Sequence, residues 1–381
     1  MLVCRPAFKA GRGSWTAAPV GSIPMRSRQL RPLRRRAPRA RRTARTARDF
    51  LRALNHDTIE IRPVRRDDEA ALLEAWHAAF ARLDPEARRT PETWRRMWLG
   101  APQGLHAQAA FASDGTCLAH FGGLPMRLRL ADGERRAYLV VDSFARLEAR
   151  QGLARDGLLA RCCRAFIAAS MDKDRGEWAH GFPVARAWEL GRRLLSYEFD
   201  DEVRLWTGPL EAFEGAAGPG ALAARQATLD EGIDKLDREV HAGLGRIVRS
   251  REHLAWRLAD DGMACEARDA RGALRGFAAA RPSMLLGERH LCLLDWIVAK
   301  DDDEAAAALL ARLAAFGRGT GARRVALLAS HLDPHGARWA RLGLALVALE
   351  NTHACFVAGR PDEARALARQ IHLTLLDTDL A

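Results

Sequence analysis

No stretch of this 381-residue chain reaches the roughly 18–20 consecutive apolar residues that a membrane-crossing helix needs. The nearest segment, residues 305–316, is amphipathic and broken by Arg312. The body therefore reads as soluble and is expected in the cytoplasm, with no membrane partner. Acidic residues are missing from residues 1–48, which hold 14 Lys or Arg. No C-x-x-C pair occurs. The seven cysteines (Cys4, Cys117, Cys162, Cys163, Cys265, Cys292 and Cys355) are odd in number and scattered, which fits reduced thiols better than a disulfide framework. A Walker-type phosphate loop and a G-x-S-x-G elbow are also lacking. His331 and His335 stand four apart, but Pro334 breaks the helix that a zinc-binding pair would need, so no metal site is expected. Tyrosine is scarce, with only Tyr138 and Tyr197 against ten tryptophans.

The net charge of +12 invites a nucleic-acid reading, yet +14 of it sits in residues 1–48, leaving −2 on the rest. The basicity thus belongs to an Arg-, Ala- and Pro-rich tail that cannot bury enough apolar surface to fold alone. Three readings stand for that tail: an extension upstream of the true start, an arm for nucleic acid or another anionic surface, and an organelle-type transit segment. The near-neutral body leaves nucleic acid as a partner only through this arm. The sequence does not give the oligomeric state.

After the tail, apolar periodicity sets the organisation. Ile59-Glu60-Ile61-Arg62 alternates as a short strand, and Leu72, Leu73, Trp76, Ala79 and Phe80 recur at helical spacing. A second helix near 91–99 follows, then strands at 107–112, 117–124, 126–130 and 135–144. A helix spans about 155–169. A strand at 178–182 is closed by Pro183, a helix at 184–190 ends at Gly191, and a strand covers 198–206. Residues 223–358 repeat the plan loosely. The expected domains are a basic tail (1–56), an α/β domain (57–210), a Gly/Ala-rich linker (211–222), a second similar domain (223–358) and a C-terminal tail (359–381).

The informative stretch is Val140-Val141-Asp142-Ser143-Phe144, then a tight loop containing Arg150-Gln151-Gly152-Leu153-Ala154, then a helix from about Arg155. A helix N-terminus has unsatisfied N–H groups and a partial positive charge, so a strand–Gly loop–helix turn suits an anion such as a pyrophosphate. Gly152 permits close backbone approach, and Arg150 and Arg155 add positive charge.

This segment resembles the acetyl-CoA pyrophosphate loop of the GNAT superfamily of N-acyltransferases, Q/R-x-x-G-x-G/A. Gly152 stands at the glycine and Ala154 at the last small position, while Ala149 stands where the family has Gln or Arg. The strand order and the Gly181-Phe182-Pro183 and Leu190-Gly191 pairs resemble the same family. The resemblance covers residues 58–206 well and 223–358 more loosely. It implies an α/β fold with a splayed mixed sheet in two tandem GNAT-like domains, and an acyl-CoA co-substrate, acetyl-CoA above all. Val141, Ser143, Phe144 and residues Arg150, Gln151, Gly152, Leu153, Ala154 and Arg155 would bind that co-substrate. At the matching loop of the second half, Asp301, Asp302, Asp303 and Glu304 would repel a diphosphate, so that domain reads as a degenerate copy. Alternatively these acids cap a helix and the domain binds something else.

The implied reaction is attack of a neutral amine on a thioester, which needs a base, oxyanion donors and a proton for the leaving thiolate. Asp142, Glu148, His120 and Glu177 are base candidates. The family's usual tyrosine has no counterpart: Trp188 occupies the helix, and Tyr197 falls beyond Gly191. The catalytic candidates are Asp142, Glu148 and Tyr197. The expected function is transfer of an acyl group, in particular acetyl, to a primary amine of a small molecule, an amino sugar among the candidates. The alternative is a GNAT-fold binding or assembly module without catalysis. Asp377 or Asp379, in the C-terminal segment, would act on an amine if that segment reached the first cleft; the simpler expectation is a docked or frayed end.

Overall fold

The structure is a computed structural model, and it describes residues 59–80, 89–150, 157–195, 197–214, 222–259 and 262–380. The basic tail, Cys4 and the loop residues 151–156 lie outside them. Among the described residues no helix is long and apolar enough to cross a membrane. None of the six described cysteines forms a disulfide, and all are buried.

In the first half, β1 (Glu60–Pro63), β2 (Ala107–Phe111), β3 (Cys117–Leu130) and β4 (Gly133–Ala145) form an antiparallel meander. Helix α1 (Glu69–Phe80) buries Leu72, Leu73, Trp76, Ala79 and Phe80, the stripe its periodicity predicts. Helix α2 (Pro91–Trp94) starts on a Thr90 cap with Pro91 in its first turn. A crossover through α3 (Leu158–Ser170) makes β5 (Trp178–Gly181) parallel to β4. Helix α4 (Ala185–Leu194) and β6 (Glu198–Pro209) follow.

The second half runs through α5 (Glu211–Glu214), β7 (Ala224–Gln226), α6 (Glu231–Val240), β8 (Arg246–Ile247), α7 (Arg251–Arg257), β9 (Met263–Arg268), β10 (Leu274–Leu285) and β11 (Glu288–Val298). It continues with α8 (Asp303–Gly319), β12 (Arg324–Leu328), α9 (Gly336–Arg341), β13 (Ala345–Val357) and α10 (Ala364–Ala368). Here too a meander, β9-β10-β11, leads through a helix to a parallel neighbour, β12.

Both halves share one sheet, in the order β1-β2-β3-β4-β5-β13-β6-β12-β11-β10-β9-β7, with β8 on the side of β3. The middle is an exchange: β13 of the second half lies between β5 and β6, and β6 of the first half lies between β13 and β12. Each half therefore completes the other's sheet. Further links cross between them, including Trp256 Nε1 donating to the Arg96 carbonyl at 3.0 Å and Arg129 bonding Asp237 at 2.6 Å.

Two local expectations change. Residues 117–130 form one strand rather than two, with Pro125 inside it. Pro125 faces Tyr138 on β4, while on its other side β2 ends at Gly122 and β8 joins only at Leu128, so no neighbour needs its missing N–H. Helix α4 runs through Gly191 to Leu194. Gly191 serves packing instead, since a Cβ there would lie 2.3 Å from the Tyr197 ring.

Candidate active site

Strands β4 and β5 pair over three residues only, Ala137–Trp178, Tyr138–Ala179 and Leu139–His180. Beyond them the strands separate, and α3 begins past the end of β4. This fork is the candidate site. Its wall is shaped by a β-bulge: His120 pairs with Phe144 and Gly122 with Val141, so Phe121 alone opposes both Asp142 and Ser143. These two residues have no ladder partner on β3.

Asp142 holds φ +52°, a left-handed conformation costing a non-glycine residue on the order of 1 kcal/mol. Its side chain explains how the bulge persists. Trp76 Nε1 donates to Oδ1 at 3.0 Å, Trp98 Nε1 to Oδ2 at 3.2 Å, and Arg89 meets Oδ2 at 2.6 Å. His120, kept neutral by burial, donates from Nδ1 to the Asp142 carbonyl at 2.8 Å. Gly122 makes room, because a Cβ there would fall 2.6 Å from the Trp98 ring. Trp76 and Trp98, from separate helical segments, thus anchor a single carboxylate.

The other predicted residues fall around this centre. Val141, Ser143 and Phe144 are buried on the fork wall, and Ser143 Oγ has no hydrogen-bond partner. Glu148 follows in the loop, 33% exposed, paired with Arg146 at 2.7 Å. Arg150 Nε donates to the Ala145 carbonyl at 3.0 Å and folds the loop back on β4. Ala149 is buried. Gln151, Gly152, Leu153, Ala154 and Arg155 lie outside the described residues. Helix α3 starts after Gly157 with no acidic residue in its first turn. Tyr197 is buried, stacked on Phe356 at 5.4 Å. Burial raises the Glu177 pKa, and its carboxylate accepts from the Asp172 amide at 2.9 Å.

Sequence reasoning missed His180. Its ring lies parallel to Trp178 at 4.3 Å and edge-on to Phe182 at 5.8 Å and His353 at 5.7 Å. The alternation Trp178-x-His180-x-Phe182 was the available signal, since residues i, i+2 and i+4 share a strand face.

The second half has an equivalent fork. Strands β11 and β12 pair at His290–Arg324, Leu291–Val325 and Cys292–Ala326, then part. The C-terminal segment crosses this opening, with Leu373, Leu375 and Leu376 buried. Only about 20 Å³ remains, between Leu293, Trp296, Trp339 and that segment. Five fully buried charged side chains clamp it. Arg249 binds Asp295 at 2.6 Å and Asp377 at 2.8 Å, and Arg246 binds Asp237 at 2.8 Å and Asp295 at 3.3 Å. Burial opposes the Asp377 charge, but Arg249 and Arg246 outweigh it and hold the carboxyl below its usual range. Asp377 is thus a structural anion, and Arg257 extends the clamp by donating to the Leu376 and Thr378 carbonyls at 2.9 and 2.6 Å. At the head of α8, Asp302 caps the Ala305 amide and binds Arg275, as does Glu304.

No family model and no curated protein sequence matches the chain. Solved structures do. A conserved protein of unknown function from Enterococcus faecalis, described as a probable N-acyltransferase, aligns at TM-score 0.59 with 12% identity, covering 79% of this chain and 72% of its own. A GCN5-related N-acetyltransferase from Kribbella flavida aligns at 0.58 with 16% identity over 81% and 73%. Saccharomyces cerevisiae N-myristoyltransferase with bound myristoyl-CoA aligns at 0.54 with 8% identity over 79% of each chain. The fold is that of the GNAT N-acyltransferases, a mixed α/β architecture of two GNAT-like halves.

Proposed function

We propose that the chain transfers an acyl group, acetyl in the simplest case, from acyl-CoA to a primary amine of a small molecule, with an amino sugar among the acceptors to try. The observation that carries this reading is the β4–β5 fork: a bulged wall, a parallel partner strand that diverges, and a helix beyond it with no acid in its first turn. The main chain of Val141, Ser143 and Phe144 would hold the pantetheine arm, and residues 150–155 the diphosphate.

In this reading Asp142 holds the bulge, because its oxygens already accept from two indoles and an arginine. Glu148 sits nearer the entrance and is the more accessible carboxylate. The fork of the second half takes no co-substrate, since its opening is filled and the head of its helix is acidic. Acyl-CoA as co-substrate is supported by the fold alone. The buried Ala149 and the position of Tyr197 favour one other reading, a module that binds acyl-CoA without turnover.

Calorimetry with acetyl-CoA tests the division of labour. One molecule is expected to bind per chain, binding is expected to vanish in Gly152→Glu, and Asp302→Ala is expected to leave it intact. Equal loss in both variants would overturn the assignment. Thiol release in the presence of a panel of amines separates enzyme from binding module.

A further inference from the structure

His180 is the last residue of β5 paired with β4, so it stands at the base of the fork. Its side chain is 1% exposed, and neither ring nitrogen has a hydrogen-bond partner. Stacking on Trp178 and edge contacts with Phe182 and His353 fix the ring without satisfying it. Burial and the nearby His353 and Arg257 keep it neutral, against the opposing pull of Asp377. A neutral imidazole carries one N–H in either tautomer. That donor is therefore buried without an acceptor, an arrangement folding disfavours and a bound ligand can complete.

The fork restricts what the ligand presents. A chain anchored by its diphosphate beside α3 and laid along β4 points its far end toward the base. Ser143 Oγ, also buried without a partner, lies four residues up β4 from Leu139, the residue facing His180.

Resting on the transferase reading, we propose that His180 donates a hydrogen bond to the acyl carbonyl oxygen of the bound thioester. When an amine attacks that carbon, the carbonyl π electrons move onto the oxygen and the His180 N–H stabilises the growing charge. Collapse of the intermediate returns those electrons, breaks the C–S bond and releases the thiolate. The proton lost by the amine and the one taken up by the thiolate pass through other groups or water. A neutral donor in a dry aromatic setting suits a charge that exists only in transit.

The test compares His180→Phe, which keeps the stacking, with His180→Asn, which keeps a donor. Calorimetry gives the affinities of acetyl-CoA and of CoA, and thiol release with hydroxylamine as acceptor gives turnover. For His180→Phe the expected result is unchanged CoA affinity, acetyl-CoA affinity about tenfold weaker, kcat about a hundredfold lower and a melting temperature at or above wild type. His180→Asn should recover part of the kcat. Wild-type turnover in His180→Phe, or equal loss of CoA and acetyl-CoA affinity, overturns the proposal and leaves the transferase reading standing. A wild-type chain that binds neither CoA nor acetyl-CoA overturns both.

Discussion

The two forks begin alike and end as opposites. Each follows a meander, opens after three paired residues and carries a helix beyond its first strand. The first keeps buried polar groups without partners, Ser143 and His180, and its helix starts without acid. The second is closed by the chain's own C-terminal segment and a buried charge clamp, and its helix starts on Asp302, Asp303 and Glu304. A repeated strand arrangement thus sets where a ligand would lie, and the filling of each opening sets whether one is expected.

The strongest way to break this comparison is to remove the filling. Deleting residues 371–381 uncovers a surface packed by Ile371, Leu373, Leu375, Leu376 and Leu380, all buried. At about 1.5–3 kcal/mol per buried aliphatic side chain, the loss rivals the roughly 5–15 kcal/mol that holds a typical domain together. The expected result is a chain without a cooperative melting transition by circular dichroism. A truncated chain that melts like wild type would show the segment to be an ornament.

Next in size is the clamp. Arg249→Ala leaves Asp295 and Asp377 buried with their main counter-charge gone, which is expected to cost about 3–5 kcal/mol in urea denaturation. His180→Phe, at the other fork, should cost nothing by the same measurement.

Acid comes third. Burial, then Arg338, pushes His335 down to about 4. Unfolded, the same imidazole titrates near 6.5. Between those values the unfolded chain binds a proton that the folded chain refuses, so stability is complete above pH 6.5 and falls as pH drops toward 4. His335 alone contributes about 3 kcal/mol of that loss. Melting temperatures from pH 7.5 to 5 should fall, and His335→Gln should flatten part of the slope.

What the sequence made legible was periodic. Strand and helix order followed from spacing, down to the apolar stripe of α1. The exchange of β6 and β13 was not legible, because strand alternation names a buried face and not a neighbour. The bulge was hidden for the same reason: Asp142 reads as a carboxylate on a strand, and only the fold brings Trp76, Trp98 and Arg89 onto it. His180 was not legible as a site residue, because the absence of partners for its ring nitrogens exists only in the fold. Asp377 was weighed as a base and emerged as a clamp, since its arginine lies 128 residues away in sequence.

The smallest expected effects sharpen the comparison most, because they separate stability from binding at each helix head. Asp302→Ala removes the cap that holds the Ala305 amide and frees Arg275 from one of its two acids. Loss of such a cap costs about 1 kcal/mol. The second fork should therefore lose stability and no acetyl-CoA affinity. Ser143→Ala removes a buried hydroxyl that lacks a partner, so stability should hold or rise by a few tenths of a kcal/mol, while acetyl-CoA binding weakens by a few fold. If both substitutions changed stability and neither touched binding, the two forks would be the same kind of object, and the contrast between a binding site and a filled opening would be gone.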